Sequence, residues 1–245
     1  MDNNTHLIHY KVFEPFTTIL AFTTTRLTLD IENVRFSNNS GNRAKLAKAI
    51  NVDAEKLVFP KQTHTSCVAE IHSLNENTID QTDALVSNKP GICLCIQTAD
   101  CVPVLLFDPV KQIVAAIHAG WRGTVGKIVQ NTVERMIQNY NSLPENILAA
   151  IGPSISPEIY EVGDEVVEAA KKTIPNAETA LHKNHSGNYH FNLWEANRQL
   201  LLQKGIPEKN IEIKEECTFT EKTKYYSARR DGINTGRMVS GIMFY

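Results

Sequence analysis

The sequence predicts an α+β fold, with helices layered on an incompletely parallel sheet, and three observations predict it. Short apolar runs of strand length recur through the middle of the chain. Two of them flank a tight Asp108-Pro109 turn, which favours a hairpin. Segments with helical spacing follow and alternate with further strands. The 245 residues, 42% hydrophobic and 21% charged, suffice for one large core or two small ones. No repeat, low-complexity segment or linker divides them, so one domain over residues 1–245 is expected.

A first strand is expected at residues 17–23, a β-branched and apolar stretch. Residues 38–41 read as a turn cluster and 42–50 as a helix. Residues 57–71 look extended, interrupted by Pro60. The runs at 92–96, 102–107 and 113–117 are buried strands. After Gly120 and Gly123 one helix is expected from 124 to about 140, because Val125, Ile128, Val129, Val133 and Ile137 recur at helical spacing. A buried strand at 147–151 ends at Gly152-Pro153. Helices are expected at 164–173 and 193–204, the second capped by Asn192 and followed by Gly205. Between them a loop carries His182, His185 and His190, and strands at 211–213 and 239–244 complete the chain.

Composition excludes several functions. With 25 Lys and Arg against 27 Asp and Glu, the net charge of -2 provides no global field to attract nucleic acid or anionic lipid. No apolar run reaches the roughly 18 residues of a membrane span, and Met1-Asp2-Asn3-Asn4 lacks the start of a signal peptide, so a cytoplasmic protein is expected. The five cysteines (Cys67, Cys93, Cys95, Cys101 and Cys217) are odd in number and include no Cys-x-x-Cys pair. That argues for thiols or a metal ligand rather than a disulfide framework.

Three segments place reactive side chains at the ends of apolar runs: Gln62-Thr63-His64, Thr98-Ala99-Asp100-Cys101, and His118-Ala119-Gly120-Trp121-Arg122-Gly123. A thiolate with two imidazoles is a zinc ligand set, and three protein ligands leave a fourth position open. The alternative is a buried cysteine with structural histidines. The small residues after His118 also suit an anion at a helix start, to which Arg122 could add a bidentate clamp; a plain strand-to-helix turn explains them too. Arg229-Arg230-Asp231-Gly232 with Arg237 is a basic cluster that could face an anionic substrate or simply be a solvated turn. His182 and His185 are spaced to chelate but sit in a polar stretch, and Cys93 and Cys95 share one face of an apolar strand, as core residues do.

The segments KQTH (61–64), TADCVPVLLFDP (98–109), IHAGWRGTVGKIV (117–129), IGPSISPEIYEVGDEV (151–166) and SARRDGINTGR (227–237) resemble the YfiH family. It is also called the laccase-domain or multicopper polyphenol oxidoreductase family, and its members are regarded as purine nucleoside phosphorylases. The resemblance implies a single-domain α/β fold in which two packed sheets carry helices outside, an αββα sandwich. It implies a catalytic zinc on His64, Cys101 and His118, phosphorolysis of adenosine, inosine, guanosine and methylthioadenosine, and deamination of adenosine. Partners would be purine nucleosides and phosphate, with no nucleic acid or membrane, in a monomer or homodimer. Phosphate needs cations, for which Arg43 is the first choice, followed by Arg122 and Arg230; Gln62 joins the substrate set, and Asp100 is a candidate acid/base by adjacency. One departure concerns Thr23-Thr24-Thr25-Arg26-Leu27-Thr28, which has no glycine where many members are glycine-rich.

Three rival functions compete. A conventional laccase holds its coppers largely on His-x-His pairs, whereas this chain has eight histidines and no such pair. Copper on the same three ligands could still oxidise phenols. A cysteine or zinc hydrolase editing peptidoglycan precursors would use Cys101 as nucleophile with His64 or His118 as base. A zinc-dependent sensor would bind nucleosides without turnover.

Overall fold

The structure, a computed structural model, describes residues 6–29, 40–74 and 79–245. Its strands are β1 (Leu7–Ile8), β2 (Ile19–Thr24), β3 (Leu57–Val58), β4 (Val68–Glu70), β5 (Ala84–Ser87), β6 (Cys93–Thr98), β7 (Val102–Asp108), β8 (Ile113–Ala119), β9 (Leu148–Ile151), β10 (Glu161–Val162), β11 (Leu181–Lys183), β12 (Tyr189–Phe191), β13 (Ile211–Ile213) and β14 (Met238–Phe244). Its α-helices are α1 (Arg26–Leu29), α2 (Ser40–Ile50), α3 (Trp121–Val125), α4 (Ile128–Tyr140), α5 (Asp164–Thr173), α6 (Ala177–Ala180), α7 (Leu193–Gln203) and α8 (Ala228–Asp231). The turn expected at 38–41 lies partly outside the described residues, and Ser40 and Gly41 open α2 instead.

One sheet has the order β1-β2-β14-β6-β3, a second β13-β9-β7-β8-β5-β4, and a small third β10-β12-β11. The pairs β3–β6, β4–β5 and β9–β13 are parallel and the other pairs antiparallel, so both large sheets are mixed. Period-two alternation sorts each strand between two cores. Leu94, Ile96, Ile242 and Phe244 meet Leu105, Phe107, Val114 and Ala116 in the slab between the large sheets. The intervening Val104, Leu106, Ala115 and Ile117 face α4, α5 and α7. On the opposite outer face, Phe22, Cys95, Val239 and Met243 pack on Leu46, Ala47 and Ile50 of α2. Two sheets covered by helix on both outer faces make the expected αββα sandwich.

The β7–β8 hairpin runs from Val102 opposite Ala119 to Asp108 opposite Ile113. Its turn is fixed by the Asp108 carboxylate, which accepts from the N–H groups of Val110 at 2.9 Å and Lys111 at 3.0 Å. Two expectations are corrected. The single helix at 124–140 is two helices, because Gly126 and Lys127 break it and Lys127 takes a left-handed φ of 62°. A Cβ on Gly126 would lie 2.9 Å from the Arg122 carbonyl oxygen, so a side chain is excluded there. The stretch of three histidines is a hairpin, β11–β12, with His182 directly opposite His190. Three-residue strands are too short for alternation to reveal them.

Candidate functional site

The end of the slab between the sheets brings together three distant side chains. His64 lies in the irregular run after β3, Cys101 in the β6–β7 connection and His118 near the end of β8, and their ligand-type atoms all fall within 4.8 Å of one another. The two imidazoles meet edge to face, with centroids 4.9 Å apart. His118 is buried, Cys101 half-buried and His64 exposed, so the cluster has an inner wall and an open side. Gly120 permits the convergence: a Cβ there would lie 2.9 Å from Cys101 Sγ and 3.3 Å from His64 Cδ2.

Asp83, immediately before β5 and fully buried, organises this cluster. Its Oδ1 contacts His118 Nδ1 at 2.7 Å and accepts the His64 N–H at 3.0 Å. Its Oδ2 accepts the N–H groups of Thr63 at 3.2 Å and Thr65 at 2.7 Å and the Thr65 hydroxyl at 2.8 Å. The carboxylate thereby holds the loop in which His64 adopts a left-handed φ of 62°. It also commits His118 Nδ1 inward, leaving Nε2 as the imidazole's remaining nitrogen.

Electrostatics follow from this packing. Burial pushes the Asp83 carboxyl up, but the His118 contact and charge and the Thr65 hydrogen bonds outweigh it and hold the pKa at about 2. Burial likewise raises the Cys101 thiol, yet the adjacent His118 and His64 bring it down to about 6. Burial lowers His118, and the Cys101 charge with Asp83 more than reverses this, to about 9. These shifts favour a thiolate at Cys101 beside an imidazolium at His118 whose other nitrogen faces a carboxylate. Thiolate plus two imidazoles, one oriented by a buried carboxylate, is a donor set compatible with a metal ion.

The cluster opens into a cavity of about 610 Å³ whose walls include Gln62, Ile155, Tyr160, Arg229, Ile233 and Arg237. That volume is in the range of small-molecule sites. Gln62 lines it, but its amide is bonded at both ends to the backbone of Gln97, at 2.8 Å each, so it fixes the loop to β6. Asp100 also lines it, in a left-handed conformation with φ 90°. Its carboxylate accepts from Thr218 Oγ1 at 2.6 Å, Ser227 Oγ at 3.0 Å and the Arg229 N–H at 2.7 Å. It therefore anchors the C-terminal segment at the edge of the cavity.

The arginines singled out from sequence sit elsewhere. Arg43 donates to the carbonyls of Leu57 and Ala54 and lies over Phe59. Arg230 engages all three guanidinium nitrogens, with the carbonyls of Thr218, Phe219 and Tyr225 and with Asp231. Arg122 stacks on Trp121 at 4.2 Å. None of the three lines the cavity among the described residues. Arg229 and Arg237, seen in sequence only as part of a basic cluster, do. Asp83 and Tyr160 were assigned no role from sequence; an acidic residue opening the apolar run 84–86 was the one available signal for Asp83.

The family model described as multi-copper polyphenol oxidoreductase laccase matches residues 35–245. The chain is 40% identical over 213 residues to a purine nucleoside phosphorylase of Bacteroides thetaiotaomicron, covering 83% of this chain and 79% of that protein. It is 43% identical over 209 residues to adenosine deaminase RL5 of an unknown prokaryotic organism, covering 82% and 79%. Among solved structures, the hypothetical protein YfiH of Bacillus licheniformis superposes with a TM-score of 0.91 at 29% identity, covering 99% of this chain and 98% of that one.

Proposed function

The chain belongs to the multi-copper polyphenol oxidoreductase laccase family, and we propose that it is a zinc-dependent purine nucleoside phosphorylase with adenosine deaminase activity. Its substrates are adenosine, inosine, guanosine and methylthioadenosine, and it works in the cytoplasm as a single-domain protein. The observation that carries this reading is the His64, Cys101 and His118 cluster opening onto a nucleoside-sized cavity with cations in its wall. The relatives' names, purine nucleoside phosphorylase and adenosine deaminase, support the two reactions.

His64, Cys101 and His118 would hold the zinc. When bound, zinc supplies Lewis acidity, which acidifies water and polarises electron-rich substrate atoms. The chain's own residues do the rest. Asp83 keeps His118 and the His64 loop in place. Tyr160 offers a flat, half-buried ring in the cavity wall against which a purine can stack. Ile155 and Ile233 add apolar surface that excludes water from the base.

The decisive experiment incubates purified, metal-quantified protein with adenosine, with and without phosphate, and resolves adenine, inosine, hypoxanthine and ribose 1-phosphate. Phosphate-dependent adenine and ribose 1-phosphate are expected, with inosine formed irrespective of phosphate. Loss of adenosine without any ribose 1-phosphate would sink the phosphorylase reading. A copper oxidase is a poorer fit, since the described residues contain one such ligand cluster and the chain lacks His-x-His pairs. Phenol oxidation by a zinc-only sample would contradict this account.

A second reading is favoured by the Cys101, His118 and Asp83 arrangement. A thiol brought down to about 6 beside an imidazole held by a carboxylate is the equipment of a cysteine hydrolase. Covalent trapping of Cys101 in metal-free protein that still hydrolyses peptidoglycan precursors would establish it.

A further inference from the structure

We propose that Arg229 is the residue that grips the phosphate co-substrate, from the cavity wall formed by Tyr160 and the start of α8. This rests on the phosphorylase reading above. In that reaction an oxygen of hydrogen phosphate bonds to the anomeric carbon as the bond from that carbon to the purine nitrogen breaks. The electron pair leaves with the purine, and the proton brought by hydrogen phosphate ends on it. A doubly charged nucleophile must therefore be stripped of water and aimed within the cavity, which calls for a cation with directional donors.

The cavity wall contains three such cations among the described residues: Lys61, Arg229 and Arg237. Lys61 is spread into solvent, with its ammonium 3.4 Å from Asp80 and its side chain 72% exposed. The Arg237 guanidinium serves the carbonyls of Ile233, Thr235 and Gly236, which fold the segment around itself. Arg229 is differently placed. Its guanidinium lies over the Tyr160 ring at 5.2 Å and shares one carbonyl, that of Glu161, through two long 3.3 Å contacts. Both terminal nitrogens are thus only weakly committed, and Nε donates no hydrogen bond to any of the described residues. An incoming anion can take over the fork without breaking a strong bond.

The root of this side chain is as firmly set as its tip is loosely held. The Arg229 backbone N–H donates to Asp100 at 2.7 Å, and Asp100 directly precedes Cys101. One hydrogen bond and one peptide bond therefore link the proposed anion clamp to the His64, Cys101 and His118 cluster. The three hydrogen bonds that Asp100 accepts also mute its charge, which would otherwise repel phosphate from the same cavity.

The test compares wild type with Arg229→Met, which keeps an apolar stem on Tyr160, and with Arg229→Lys. Melting temperatures are checked first; the backbone bond to Asp100 survives both changes, so both variants should fold. KM for phosphate, KM for inosine and phosphate-free deamination of adenosine are then measured. Arg229→Met should raise the phosphate KM about tenfold to a hundredfold, as loss of charge-assisted hydrogen bonds does, and by far more than it changes inosine KM or the rate of deamination. Arg229→Lys should recover part of the loss. If Arg229→Met forms ribose 1-phosphate with an unchanged phosphate KM, the clamp is refuted and the phosphorylase reading stands. If wild type itself forms no ribose 1-phosphate, the phosphorylase reading fails. Should Arg229→Met melt early, stabilisation of wild type and Arg229→Lys by inorganic phosphate decides: equal shifts overturn the clamp, and a smaller shift in Arg229→Lys supports it.

Discussion

His118 and Asp83 are both buried and touch through Nδ1 and Oδ1 at 2.7 Å. The same carboxylate receives the backbone of residues 63–65. One side chain therefore aligns two of the three clustered ligand-type residues, though it is not itself one of them.

Asp83→Asn should weaken metal binding by about tenfold to a hundredfold, the usual cost of losing an outer carboxylate behind a ligating histidine. Competition with a chromophoric chelator measures it. Asp83→Ala should in addition destabilise the protein by about 3 kcal/mol, because several buried donors lose their acceptor; denaturant unfolding reads that loss.

Gly120→Ala drives a methyl to 2.9 Å from Cys101 Sγ. The sulfur or the loop must shift, so metal affinity and turnover should fall together while the fold persists. Elemental analysis after dialysis, alongside circular dichroism, separates the two effects.

Cys101→Ala should reduce metal content from about one equivalent to near zero and abolish both nucleoside reactions, since two imidazoles alone hold zinc poorly. Retention of both reactions by the metal-free variant would contradict the proposed centre.

Metal uptake should release protons in a pH-dependent way. Near pH 7.5 Cys101, brought down to about 6, is already a thiolate, whereas His118, raised to about 9, still carries its proton. Zinc addition in weak buffer should therefore liberate about one proton per ion, and apparent affinity should rise with pH up to about 9.

Acid should unfold the protein through Asp83. Its folded pKa of about 2 lies below the ordinary 3.8, so its stabilising contribution is complete above 3.8 and is lost as pH falls toward 2. Unfolding midpoints of wild type and Asp83→Asn should differ most at neutral pH and converge in that window.

Much of the architecture was legible in the sequence because β6, β7, β8 and β9 coincide with nearly continuous apolar runs and α5 and α7 carry clear spacing or caps; Asn192 does accept the Glu195 N–H. His64, Cys101 and His118 stood out because few residue types ligate metals, and the fold brings them together. The rest was hidden for physical reasons. The break at Gly126 and Lys127 interrupts a spacing that runs through it unchanged. Asp83 acts through backbone donors, which any sequence offers. An arginine looks the same in sequence whether it staples carbonyls, as Arg43 and Arg230 do, or faces a cavity, as Arg229 does.

The β7–β8 hairpin has a consequence that reaches the cluster at its far end. Its pairing carries Pro103 opposite His118, one pair short of the far end, and Asp108 opposite Ile113 at the turn. His118 falls in the same alternating row as Val114 and Ala116, which face the slab between the sheets. A slip of one residue anywhere along the ladder would turn that imidazole toward the helices and away from Cys101. The turn at Asp108 thus works as a gauge block: it measures off, five residue pairs away, where the chemistry can occur.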